Sequence, residues 1–175
     1  MQTCRRCGTS APDLAALPAA ARDIPRSADT PFLRHAQLCE SLGDHAGQAE
    51  ALLQAAWSVD DTSGDDTNED ATALRRRVAE LWADATAPET RLRRLDVLRR
   101  AGDWDGAEAC AAGLAAQSLD ETARAVVAFQ RRLIAARDGG RHQISSALPP
   151  PAHAPHVTHV QQRRPGLMAR LFGRG

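Results

Sequence analysis

Tyrosine and lysine are both missing from this chain, and aromatic side chains make up only 3% of its 175 residues. Strands favour aromatic and β-branched residues, so a sequence whose aromatics are Trp57, Trp82, Trp104, Phe32, Phe129 and Phe172 points to an all-α protein. No apolar run approaches the roughly 18–20 residues needed to span a bilayer. Arg5 and Arg6 are not followed by the uninterrupted apolar stretch of a secretory signal. Four cysteines without an export signal read as thiols or metal ligands rather than disulfides, which predicts a cytoplasmic location. Gly-rich phosphate loops, HExxH and GxSxG are absent too, and no spacing of Ser, His and Asp singles out a triad. The sequence therefore assigns no catalytic residue and argues against an enzyme.

What is present is alanine, arginine and acid. Much of the 43% apolar fraction is alanine. Alanine buries little area, so the core must be thin and built from closely approaching helices. All 22 basic residues are arginine and are balanced by 22 acids. The balance is uneven along the chain: residues 60–70, DDTSGDDTNED, hold six acids and no base, whereas 141–175 hold five arginines and no acid. A neutral body with a basic tail argues against broad nucleic-acid binding and for a localised contact.

Between residues 30 and 140 apolar positions recur with helical period. Ala49, Leu52, Leu53, Ala56 and Trp57 form one stripe, Leu74, Val78, Leu81 and Trp82 a second, and Ala107, Cys110, Ala111, Leu114 and Ala115 a third. Pro31 opens the first helix, with Phe32, Ala36, Cys39 and Leu42 inward, and Pro88 opens the helix of Leu92, Leu95 and Leu98. A last helix opens at Asp120 and closes at Gly139-Gly140. Stretch 60–70 reads as a solvated loop with Thr67 or Asn68 capping the next helix. Arg75, Arg76 and Arg77 then read as a solvated face, and Cys110 as core. LGDHAGQAEALLQAAW (42–57) and AGDWDGAEACAAGLAA (101–116) resemble each other if one residue is inserted, so one hairpin turn is used twice, with an extra helix between. The turn is similar to that of tetratricopeptide (TPR) repeats. Five to six helices in TPR-like hairpins are expected. The division is a cysteine-pair element and connector (1–29), a helical domain (30–140) and a flexible Pro/His/Arg tail (141–175).

Two constellations could carry chemistry. Cys4-Arg-Arg-Cys7-Gly8 has the spacing that directs two thiolates at one ion. His35 and Cys39, one helical turn apart, are the best remaining pair, so the pattern predicts one structural zinc on Cys4, Cys7, His35 and Cys39. The plain alternative makes His35 and Cys39 part of a helix core. In the tail, His153, His156 and His159 recur every third residue among prolines and read as a solvated spacer. Beyond them, Leu167, Met168, Leu171 and Phe172 share one face beside Arg163, Arg164 and Arg170. Such a patch suits a partner's groove or weak, reversible contact with an anionic membrane surface.

The N-terminal CxxCG and the phrases LLQAAWSVDD, LDVLRRAGDWDGAEA and VVAFQRRLIAARDGGRH resemble a group of uncharacterised bacterial proteins that join a cysteine-pair, zinc-ribbon-like element to TPR-like helices. The resemblance implies an all-α interaction module with a zinc element, and it implies no reaction. The expected function is a non-catalytic scaffold or adaptor binding a protein or peptide. The alternative is a metal- or thiol-responsive regulator acting through Cys4 and Cys7.

Overall fold

The computed structural model describes residues 1–5, 8–19, 21 and 29–148. Six α-helices dominate: α1 (Pro31–Ser41), α2 (His45–Ser63), α3 (Glu69–Leu81), α4 (Pro88–Arg100), α5 (Trp104–Ala115) and α6 (Glu121–Ala135), followed by a 3-10 turn at Ile144–Ala147. None of the described helices is long and apolar enough to cross a membrane. Strand was not expected, yet β1 (Gln2–Thr3) pairs antiparallel with β2 (Ser10–Ala11). The pair is made by its turn rather than by propensity. Gly8 sits at φ +72°, its N–H donates to the Cys4 carbonyl at 2.8 Å, and the Cys4 N–H donates to the Thr9 carbonyl at 2.8 Å.

Local chemistry sets the helix starts. Thr30, Asp44, Asn68, Asp103 and Asp120 each accept a first-turn N–H, and α4 instead begins with Pro88. The α1–α2 and α4–α5 turns are copies of each other. Gly43 and Gly102 lie at φ +71° and +72°, a region that favours glycine. In the first turn Asp44 N–H reaches the Cys39 carbonyl at 2.8 Å, and in the second Asp103 N–H reaches that of Leu98 at 3.0 Å. Asp44 and Asp103 then cap Gly47 and Gly106. All these positions match at a constant offset, so the inserted residue expected between the two stretches is not there. At the same offset buried Gln48, Ala51, Leu52 and Ala55 match buried Ala107, Cys110, Ala111 and Leu114. The C-terminal end of α6 uses the same closure without glycine. Arg137 takes φ +49°, and Asp138 N–H donates to the Leu133 carbonyl at 2.9 Å, ahead of Gly139-Gly140.

Small residues let the helices approach: Ala49, Ala56, Ala71, Ala107 and Ala111 are fully buried among Val78, Leu95 and Leu114. The acidic stretch departs most from expectation. Helix α2 runs on to Ser63 before Gly64 ends it, so Asp60 falls one turn after Ala56 on the inner face and is fully buried. Its carboxylate Oδ2 accepts from Arg75 of α3 and, at 2.8 Å, from Arg100 of α4. Arg75 is therefore core, not solvated face, while Arg76 and Arg77 are exposed. Burial lowers the Arg75 pKa, and its hydrogen bond to Asp60 opposes that. Trp57, Leu42 and Ala115, all expected inward, are exposed.

Candidate binding groove

Helices α2, α4 and α6 and the 3-10 turn enclose a groove of about 510 Å³. Leu53 and Trp57 come from α2, Leu92 and Val97 from α4, Val126 and Phe129 from α6, and Ile144 and Ala147 from the turn. Trp57 is 40% exposed, because the inner stripe of α2 passes through Leu53, Ala56 and Asp60 and leaves residue 57 towards the opening. An open tryptophan above aliphatic side chains is what an incoming apolar segment would cover.

The charged lining is mostly acidic, Glu89, Asp96 and Asp120 against Arg93, and Thr122, Gln130, His142 and Gln143 complete the polar side chains. Arg93 is committed elsewhere, pairing through both nitrogens with Glu50 and lying 4.8 Å from the Trp82 ring centroid. Asp96 accepts from Arg99 at 2.8 Å and from Gln130 Nε2 at 3.0 Å, and Asp120 caps α6 through the Ala123 N–H at 2.7 Å. Glu89 is exposed and pairs with none of the described residues.

Buried Arg99 holds the turn wall in place. Its Nε donates to Gln130 at 2.6 Å, and its Nη1 to the carbonyls of Asp138 and, at 3.0 Å, Gly140. Arg141 then pairs with Asp61 at 2.7 Å and Asp66 at 2.9 Å, so the acidic stretch reaches forward to the end of the helical body. His142 meets Asp138 at 2.9 Å and stands edge-on to Phe129 at 5.6 Å. The Gly140 N–H, more than His142, holds the Asp138 carboxyl below its ordinary pKa.

The cysteine hairpin sits apart from the groove. Strand β2 packs on α1, with Ser10 buried and Arg34 Nε donating to its hydroxyl at 3.5 Å. His35 and Cys39 share a face of α1, as their spacing predicts, with Cys39 Sγ 3.7 Å from Nε2 and 3.9 Å from Nδ1. Burial lowers the His35 pKa, with the Ser10 backbone opposing it. Burial, then the charge of Asp44, pushes the Cys39 thiol up to about 11. Cys4 is half-buried and free. Among the described residues no three His, Cys, Asp or Glu side chains are grouped to hold a metal ion. Cys7 lies outside those residues, as do the tail histidines and Arg163, Arg164, Leu167, Met168, Arg170, Leu171 and Phe172. Cys110 is buried, donating to the Arg91 carbonyl at 3.6 Å.

Sequence patterning missed the groove because its wall is assembled from three non-adjacent helices. The signal available was Trp57, too large for an alanine-lined stripe. Compared with protein-family models, curated proteins and solved structures, the chain matches none.

Proposed function

We propose that this protein is a non-catalytic interaction module whose helical hairpins, TPR-like in their repeated Gly-Asp turn, receive a peptide segment of a partner protein in the α2–α4–α6 groove. One observation carries the reading: Trp57 stands open over an aliphatic floor. An exposed aromatic rimmed by polar side chains is a favourable anchor for a partner, and concave layers of helical hairpins suit extended ligands. The unit differs from a TPR in carrying a third helix. Pro-opened α1, Asp-capped α2 and Asn-capped α3 are followed by Pro-opened α4 and Asp-capped α5 and α6. Selection of peptides from a displayed library on the full chain tests the proposal. Selected peptides should bind at micromolar Kd and lose at least tenfold on Trp57→Ala, whereas binding indifferent to Trp57 would remove the groove from the function.

A second reading is favoured by the hairpin itself. Gly8 in the left-handed region follows the cysteine pair, and β2 rests on the helix bearing His35 and Cys39. In this reading Cys4 and Cys7 hold one zinc together with His35 and Cys39, and the ion fastens the hairpin to α1.

A further inference from the structure

The groove has a charge pattern that selects among apolar segments. Glu89 is exposed and unpaired among the described residues, Asp120 and Asp96 stand along the same opening, and the one lining arginine is held by Glu50 and Trp82. An apolar segment flanked by arginines would satisfy both the floor and the rim. A guanidinium would also meet the exposed part of Trp57.

This chain carries such a segment. RRPGLMARLFGRG, residues 163–175, has four large apolar side chains, four arginines and no acid. Its connection also starts at the groove. Ala147 lines the wall, and Leu148 is the last described residue. Leu167 is nineteen positions beyond Leu148, a connection that spans up to about 60 Å when extended. The thirteen-residue α4, which runs along the groove, is only about 20 Å long. We propose that residues 163–174 occupy the groove in cis, with Leu167, Leu171 and Phe172 on the apolar floor and Arg163, Arg164 and Arg170 facing Glu89, Asp120 and Trp57. A partner peptide then has to displace the chain's own segment.

The inference rests on the groove being the binding site, and it predicts competition. A tethered segment experiences an effective concentration of the order of millimolar. A free peptide spanning residues 160–175 should therefore bind the full chain carrying Leu167→Glu, Leu171→Glu and Phe172→Glu at least about tenfold more tightly than the unaltered chain. In that tail variant, Trp57→Ala and Glu89→Arg should each weaken the peptide by about tenfold. Trp57 and Glu89 both lie outside the buried core cluster. Fluorescence anisotropy of labelled peptide reads all four proteins.

Equal affinity for the unaltered chain and the tail variant would overturn occupancy in cis. So would a concentration-dependent dimer of the unaltered chain that the tail variant abolishes, because the segment would then be exchanged between copies. If this peptide fails to bind while library-selected peptides still depend on Trp57, the inference falls and the groove stands. If neither binds, both fall.

Discussion

Asp60 of α2 and Arg100 of α4 meet at 2.8 Å inside the helical layer, although forty positions separate them in the chain. The same Asp60 oxygen serves Arg75 of α3, so one buried carboxylate ties three helices together. Asp66, less buried, supplies the second negative charge to Arg100 at 3.4 Å. The match is incomplete: Asp60 Oδ1, Arg75 Nε and Nη1, and Arg100 Nε find no partner among the described residues.

Removing the shared anion leaves two cations buried without it. Asp60→Ala should cost about 3–5 kcal/mol. Combining it with Arg75→Met and Arg100→Met should recover most of that loss, because the cost lies in the unpaired charges. Urea unfolding decides this, and an Asp60→Ala chain within about 1 kcal/mol of the parent would contradict it.

Arg99 organises the groove wall through a planar fork that reaches Gln130, Asp96 and two backbone carbonyls. Arg99→Lys keeps the charge and loses the fork. Hydrogen exchange should then accelerate across 138–148 and leave α1 and α2 unchanged, with a stability loss of about 1–3 kcal/mol.

The repeated turn predicts paired effects. A Cβ on Gly47 would meet the capping carboxylate of Asp44 and come within 2.9 Å of Cys39 Sγ, and one on Gly106 would meet Asp103. Each Ala substitution should disturb its cap and cost about 1 kcal/mol. The cost should be larger at 47, where the sulfur also has to move. Thermal melts of both variants check the order.

The zinc reading predicts about one zinc per chain in protein purified without chelator, lost in Cys4→Ser, His35→Ala and Cys39→Ser alike. Elemental analysis measures it directly. Zinc retained after His35→Ala would take α1 out of the ligand set, and a zinc-free parent would end the reading.

Like Cys39, Cys110 contributes to an alkaline limit on stability. Burial raises its thiol pKa above the ordinary 9.0, and Arg94 and Arg91 only partly offset that. Its contribution is therefore complete below about pH 9 and is lost as pH rises towards the folded value, where the unfolded chain binds fewer protons than the native one. Cys110→Ala should flatten the fall in urea midpoint above pH 9; an unchanged slope would assign it to other groups.

The helices were legible because their determinants are local. Apolar spacing, Pro31 and Pro88 at first turns, Asn68 and Asp120 as caps, and the Gly-Asp turns all act within a few residues of themselves. His35 and Cys39 also came out adjacent, since one helical turn separates them. The two-residue β pair was not legible, because a hairpin that short is fixed by Gly8 and its hydrogen bonds rather than by strand-forming residues.

By itself, then, the sequence determined where helices begin, most of each inward stripe and which turn is used twice, because these depend on hydrogen bonds and periodicities inside one segment. Only the tertiary structure decided the fate of Asp60, Arg75, Arg99 and Trp57. A carboxylate in an acid-rich stretch looks solvated until α2 continues far enough to turn it inward against two arginines from other helices. A tryptophan on an apolar stripe looks buried until three helices leave a gap above it. Burial of a charge and exposure of an aromatic are properties of how elements meet, and no local pattern encodes that meeting.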